Sequence, residues 1–397
     1  MFSFIYWKKT KRMKIVLSGV ETNNKGAELM LYAILQEIER KFPNATVYFD
    51  MGSISQGLSY IQTNLRLKDK PVETLWRWYH RLHIPGILRR LHIREHTGWH
   101  EDKYAVPFAK YFIDGSGFHF SDKWHWSEAL TRRKKMLWRS HHRWGSRMIF
   151  LPQAFGPFHE TYSQQHFANM ARYADVIMPR EQMSYNYIKE SGLADINKVV
   201  VFTDFTSLVY GVFPEGYEHL KGAVCVIPNM RMIDQGSISF DNYIQLLTDI
   251  IRRVEAGGRS VYLLNHEGRG DEELAYKCKA EVGEHLEVVT GLNALQVKGL
   301  ISTAYLVITS RFHGVASALN SCVPCLATSW SHKYEALFND YGQHDCILPL
   351  DDDVKCMTMI EELLQTDMNS EIRSQLSERV PLIKEETRRM WEYVWSI

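Results

Sequence analysis

The chain has 397 residues, a length that points to two or three domains, and its 45% apolar and 23% charged content excludes a disordered or collagen-like polymer. The 47 basic and 46 acidic side chains nearly cancel, so no global field draws the chain to nucleic acid. Aromatic residues reach 12%, with 11 Trp and 20 Tyr. That supply of amphipathic surface suits sugars, lipid headgroups or a partner, and equally a packed core.

In chain order, the first strand pattern is Met13–Gly19, an apolar run closing in Gly. A helical pattern follows from Gly26 to about Lys41, with Leu29, Met30, Ala33, Ile34 and Ile38 at spacings of three and four. Ala45–Asp50 is the next strand, which completes a β-α-β opening of the kind that builds parallel sheets. Residues 51–105 are less regular and mix aromatic with basic side chains. Strands resume at Tyr111–Asp114, Met148–Leu151, Asp175–Met178 and Val199–Phe202. Between the first two of these, Arg132 through Arg147 holds seven basic residues and no acidic one.

A second alternating series begins after Gly216. Its strands are Ala223–Ile227, Val261–Leu264, Leu286–Val289, Leu306–Thr309 and Cys325–Thr328, with helices at about 240–256, 271–282, 294–302 and 314–321. The last 30 or so residues read as helix and carry Trp391 and Trp395. The expected fold class is α/β, with two Rossmann-like doubly wound domains facing a cleft. The expected division is residues 1–210, 211–375 and a terminal helix 376–397 that packs back on the first domain. Ligands of such sheets bind at the carboxyl ends of the strands.

All six cysteines lie beyond residue 224, too few and too scattered for a disulfide scaffold. Cys322 and Cys325 have CxxC spacing but no second pair, and packing is the favoured reading. HExxH does not occur and CxxC is unpaired, so no metal is called for. No run approaches the ~18 apolar residues of a membrane helix. The first residues place a short apolar patch before a basic run, the reverse of a signal peptide. The expected location is the cytoplasm, with contact at the inner face of the membrane as an option.

Polar residues gather at strand ends. Thr309–Gly314 (TSRFHG) leaves a continuous apolar strand and opens a helix. An anion there would meet the Arg311 fork, the His313 imidazole and a helix dipole. The competing reading gives Arg311 an interdomain salt bridge and makes His313 a cap. Arg180 follows the strand ending at Met178 and sits at the lip of the first sheet, or forms an ordinary helix start with Glu181. Asp114-Gly-Ser-Gly117 is a Gly-rich turn without the rest of a dinucleotide fingerprint. Asn23 or Asn24 caps the first helix, leaving the other to reach the cleft. Trp330, His332 and Lys333 follow the last strand, where Lys333 is a candidate phosphate contact or a solvated lysine. Gln153 and Asp204 are polar groups at two further strand ends.

In order and spacing, these motifs resemble the polysaccharide pyruvyl transferase family. The matching pieces are Asn24–Gly26, Asp114–Gly117, Pro152–Pro157, Arg180 through Ser184, Thr203–Asp204, Ser310–Gly314 and Pro324 through Lys333. The resemblance spans about residues 14–340. It implies a fold similar to the two-domain GT-B glycosyltransferases. The implied reaction moves the enolpyruvyl group of phosphoenolpyruvate onto two sugar hydroxyls as a cyclic ketal and releases phosphate. No cofactor is implied, phosphoenolpyruvate being a co-substrate. The acceptor implied is a cell-surface glycan, capsular or exopolysaccharide precursor or a lipid-linked saccharide. By the same resemblance Arg180, Arg311 and the Phe312 backbone bind the donor, with Lys333 beside them, and His313 is the catalytic residue. Asn24, Asp114, Ser116, Gln153 and Asp204 are the candidates on the acceptor side. The loop reads Gly-Ser-Gly where family members show consecutive glycines, which alters the acceptor side at Ser116.

The stretches 72–103 and 124–147 match no part of the family pattern. Lys and Arg beside Trp in the second suit an anionic membrane surface, or else form a solvated helical face with a Trp anchored in the core. Two readings stand beside the pyruvyl transferase: a nucleotide-sugar glycosyltransferase of the same architecture, and a non-catalytic glycan-binding protein.

Overall fold

The computed structural model describes residues 12–50, 61, 63–69, 105–328 and 333–397. The insertion expected at 72–103 and the residues Trp330 and His332 lie outside this set. Eleven strands form two parallel sheets among the described residues.

The first sheet holds β1 (Lys14–Ser18), β2 (Thr46–Phe49), β3 (Arg66–Asp69), β4 (Tyr111–Asp114), β5 (Arg147–Gln153) and β6 (Val176–Pro179) in the order β3-β2-β1-β4-β5-β6. Ile15 lies opposite Val47 on one side and Tyr111 on the other. Helix α1 (Lys25–Lys41) crosses from β1 to β2. It starts where the sequence capping signal sits: Asn24 Oδ1 accepts from Gly26 N at 2.8 Å and Ala27 N at 3.2 Å. Its apolar stripe then buries Leu31, Ile34, Leu35 and Ile38 over the sheet. On the other face lie α2 (Glu128–Arg143), α3 (Thr161–Ala171) and α4 (Gln182–Ser191). They cover a second core containing Phe112, Phe150, Phe155, Phe167 and Trp138.

The second sheet runs β11-β10-β7-β8-β9, from β7 (Val224–Ile227), β8 (Val261–Leu264), β9 (Glu287–Val289), β10 (Leu306–Thr309) and β11 (Cys325–Ala327). Its helices are α5 (Phe240–Ala256), α6 (Gly268–Val282), α7 (Ala294–Ile301), α8 (Phe312–Asn320), α9 (Lys333–Asp340) and α10 (Asp353–Leu364). In both sheets the strand order reverses once, between β1 and β4 and between β7 and β10. A ligand crevice opens at such a switch point, outside the carboxyl ends of the strands.

The terminal helix α11 (Thr366–Ser396) spans 31 residues and joins both halves. Leu376, Val380 and Ile383 pack in the core of the second sheet, whereas Met390, Trp391 and Val394 pack in that of the first. Between its two ends it braces the connection, with Ser207 and Thr387 hydroxyls 2.7 Å apart.

Two sequence expectations change. Val199–Phe202 is not a ladder strand. Val200 N and Phe202 N do donate to Ile177 O and Pro179 O, but the only pairing is one isolated bridge, Val199 with Ile177. The segment follows edge strand β6 briefly before turning toward the other half. Strand β3 was not visible in sequence, because Arg66–Asp69 (RLKD) has no apolar run and is held by backbone pairing with β2. Cys322 and Cys325 form no disulfide, and burial holds the Cys325 thiol well above its usual value. Among the described residues no helix is long and apolar enough to cross a membrane.

The two halves approach backbone to backbone where the connection passes α7. A Cβ placed on Gly299 would lie 2.2 Å from Val212 O, and one on Gly211 would lie 2.4 Å from Gly299 N. Neither neighbour is a flexible side-chain tip. Gly299→Ala is expected to destabilise the protein by ~1–3 kcal/mol, whereas Gly270→Ala, which meets only the Met230 side chain at 3.3 Å, costs less. Urea unfolding of the two variants checks the difference.

Candidate functional site

The strand ends of both sheets face one cavity of about 590 Å³. The first half contributes Gly19, Val20 and Asn24 after β1, Gly117 through His119 after β4, and Arg180 after β6. The second contributes Asn229 after β7, His266 and Glu267 after β8, Arg311 through His313 after β10, and Lys333 at the start of α9. All five residues expected on the donor side therefore line one space, as does Asn24. Of the remaining acceptor candidates, Asp204 lies just behind the wall. Asp114 accepts from Ser116 N at 3.1 Å, and both are buried away from the lining. Gln153 is fully buried too, and its side-chain amide has no hydrogen-bond partner among the described residues.

Asp204 joins the halves. It caps the short 3₁₀ turn Phe205–Leu208, accepting from Thr206 N at 2.9 Å and from the Thr206 hydroxyl. Its other oxygen faces Arg180 Nη1 at 3.7 Å and His313 Nε2 at 3.5 Å. Burial pushes this carboxyl up, but contacts with His313, Arg180 and Thr206 outweigh it and leave the group below the usual carboxylate range. Arg180, only 5% exposed, lays its guanidinium 3.7 Å above the centre of the Phe312 ring, a cation–π contact across the cleft.

His313 fits against α1. A Cβ on Gly26 would fall 2.3 Å from its Nδ1, so the absence of a side chain there is what admits the imidazole. Asn24 is thus the cap and also a cavity residue, while Asn23 is exposed. The helix α8 that begins at Phe312 has no side-chain cap, which leaves its first N–H groups without a side-chain acceptor.

Arg311 is engaged within its own half rather than across the cleft. It donates to Asp271 through Nε at 2.8 Å and Nη2 at 2.5 Å, and through Nη1 to Glu267. Burial alone presses Arg311 down and Asp271 up, and the bidentate bond offsets that cost by favouring the charged form of both. Lys333 is buried with Phe118, Tyr334 and Phe312 ring centres at 5.5, 5.6 and 5.7 Å. Burial first, then Arg180, Lys123 and Arg311, press its pKa well below that of an ordinary lysine.

The aromatic-basic stretch divides by face. Trp138 is fully buried and Trp126 and Trp124 line the cavity, while Arg132, Arg133 and Arg139 point outward. Trp138 is thus anchored in the core under a helix whose other face is exposed, while Trp124 and Trp126 precede the helix and line the cavity.

A family model for polysaccharide pyruvyl transferase matches residues 24–332. The chain belongs to the polysaccharide pyruvyl transferase family. No curated protein matches it. Among solved structures, Anabaena HepE in complex with UDP-glucose superposes with a TM-score of 0.61 at 13% identity, covering 97% of this chain and 100% of that one. S. aureus MnaA with UDP gives 0.59 at 10% over 96% of each chain. UDP-GlcNAc 2-epimerase from Neisseria meningitidis bound to UDP-GlcNAc gives 0.58 at 9%, over 97% and 100%. The fold is GT-B-like.

For this pyruvyl transferase family member, sequence reasoning passed over His266, Glu267, Asn229 and Asp271. The signal was available for three of them, since Asn229 follows β7 while His266 and Glu267 follow β8, the same strand-end position that singled out Arg180 and Arg311. His119, Trp124, Trp126 and the Lys134–Asp50 ion pair at 3.6 Å were also missed as cavity residues. Their convergence depends on how the loop after β4 folds.

Behind Trp126 lies His166, 2% exposed, with its pKa lowered to about 3 by burial and then by Lys134 and His119. Unfolded, this imidazole titrates near 6.5. Below that pH the unfolded chain takes up a proton that the folded one refuses, so stability falls as pH drops from 6.5 toward 3. By pH 5 the loss from this residue is about 2 kcal/mol. Urea unfolding at pH 7 and pH 5 should show a difference smaller by that amount in His166→Phe.

Proposed function

We propose that the protein transfers the enolpyruvyl group of phosphoenolpyruvate to two hydroxyls of a sugar in a cell-surface or exopolysaccharide glycan precursor, forming a cyclic ketal and releasing phosphate. The observation that carries this reading is the convergence of Arg180, Lys333 and the uncapped start of α8 beside the His313–Asp204 pair in one interdomain cavity. Phosphoenolpyruvate brings a carboxylate and a phosphate, which suit two cationic side chains and a ring of free N–H groups. Binding of such an anion favours the protonated form of Lys333, against its burial. Arg311 keeps Asp271 and exchanges Glu267 for the donor.

The chemistry balances without a redox partner. The methylene carbon gains a proton as the first sugar oxygen bonds to the central carbon. Phosphate then departs with its bridging oxygen, and the second hydroxyl closes the ring on the same carbon. Two hydroxyl protons are released: one matches that added to the new methyl group, and the other leaves with phosphate. Asp204 faces His313 Nε2 at 3.5 Å, an ion-pair contact, which leaves Nδ1, on the Gly26 side, for the proton transfer.

Incubation of the protein with phosphoenolpyruvate and candidate glycans is expected to yield phosphate and an acceptor heavier by one pyruvate ketal in mass spectrometry. Phosphate or nucleotide release only from a nucleotide sugar would replace this reading with glycosyl transfer, and binding without turnover would make the protein a glycan binder. His313→Ala should lose ~10²–10⁴-fold in turnover with an unchanged circular dichroism spectrum. Full turnover by that variant removes His313 from the mechanism. Arg180→Ala should raise the donor KM by ~10- to 100-fold, the loss of one charge-assisted bond.

Glu267→Gln removes an anion that competes for Arg311. The donor KM of that variant should fall by roughly 3- to 10-fold, and a raised KM would mean that Glu267 assists the donor instead.

A further inference from the structure

Arg180 and Lys333 gather around the Phe312 ring, with Arg311 next to it in the chain. Another part of the lining, built by the first half alone, is an aromatic shelf. Its two indoles, Trp124 and Trp126, incline by 31° with centres 6.4 Å apart. His119 stands edge-on to both, 5.7 and 5.6 Å away at 76°. Trp126 Nε1 donates to His119 O at 2.9 Å. His166 stacks on Trp126 at 4.9 Å and 17°, and on Phe120 at 5.2 Å and 24°. The shelf is therefore braced from behind rather than draped on the surface.

It is also uncharged at neutral pH. Burial lowers His119 to about 4 and His166 to about 3, with the neighbouring Lys134 lowering both and Asp114 opposing. Trp124 remains 37% exposed on the cavity wall. Folding alone gives no reason to hold a large apolar ring against water beside two others. At the shelf's margin the Lys134–Asp50 pair presents a donor and an acceptor to the same space.

We infer that this shelf is the saccharide subsite, taking an uncharged pyranose ring with its C–H face on Trp124 and Trp126 and its hydroxyls toward Lys134 and Asp50. A sugar ring has one flatter apolar face and a polar rim, which is the complement of a flat indole bordered by an ion pair. A charged sugar is disfavoured, because it would lose hydration against neutral rings. The assignment takes its purpose from the proposed reaction, but its physical basis is the shelf itself.

Saturation-transfer NMR tests it without the donor, using methyl β-galactopyranoside, methyl α-glucopyranoside and methyl α-mannopyranoside as probes. Wild-type protein should transfer saturation to contiguous C–H protons on one face of at least one glycoside. Trp124→Ala, whose side chain is exposed enough to be removed without unfolding, should lower that signal by roughly 3- to 10-fold at an unchanged melting temperature. No transfer to any of the three, or equal transfer in the variant, overturns the subsite. Phosphoenolpyruvate is titrated into the same samples by calorimetry. Glycoside contact without phosphoenolpyruvate binding keeps the subsite and removes the proposed donor. Phosphoenolpyruvate binding without glycoside contact does the reverse.

Discussion

One buried carboxylate, that of Asp204, ties together the strand ends of the two halves at the cleft, since Arg180 reaches it from the first sheet and His313 from the second. An isolated carboxylate at 6% exposure would cost several kcal/mol. Thr206 on the connecting segment satisfies one oxygen, and the two cleft residues face the other. The charge is thus stabilised only when both strand ends are in place. The fit of His313 against Gly26 follows from the same closure, because it brings α8 onto the start of α1. Lys298 continues the arrangement behind Asp204, donating to Thr206 O at 3.3 Å and Asn320 Oδ1 at 2.9 Å. Its burial lowers its pKa to about 7, while Asp204 opposes the shift.

This constraint makes the two cleft arginines unlike each other. Arg311 is held by two bonds to one carboxylate, and its direction is fixed by that fork. Arg180 is held by a 3.7 Å ion pair and the face of Phe312, neither of which saturates its five N–H groups. An anion arriving between them finds one guanidinium that keeps the wall in shape and one that still has directions to give. Lys333 adds a charge that burial suppresses until a partner restores it.

Much of this could be read before any coordinates. The alternation of apolar runs and helical periods gave both sheets, and the rule that ligands sit at strand ends singled out Arg180, Arg311, His313 and Lys333, to which the family resemblance added Phe312. The same rule, applied to β7 and β8, would have added Asn229, His266 and Glu267. Other features leave no local trace. Asp271 precedes Arg311 by 40 residues on a different strand-helix unit, and only the sheet order brings them together. In α2, helical period groups Lys134, Leu137, Trp138 and His141 on one face. It does not say that Lys134 turns to the cavity while Trp138 enters the core. Val199–Phe202 has the composition of a strand, and its failure to become one is decided by the turn at Asp204 that follows.

Fold alone does not separate this chain from its structural neighbours, which carry nucleotide sugars on the same two-sheet frame at 9–13% identity. What separates proteins on such a frame is the chemistry at the strand ends, and here the lining holds the cations Arg180, Arg311 and Lys333 and also the rings of Trp124 and Trp126 beside the Lys134–Asp50 ion pair. Under the proposed reaction an anionic donor would suit the cations and a neutral acceptor the rings, so the two would not compete for the same groups. The imidazole of His313, on α8, lies against Gly26 at the start of α1 and faces Asp204 at 3.5 Å, so both contacts depend on the two halves staying together.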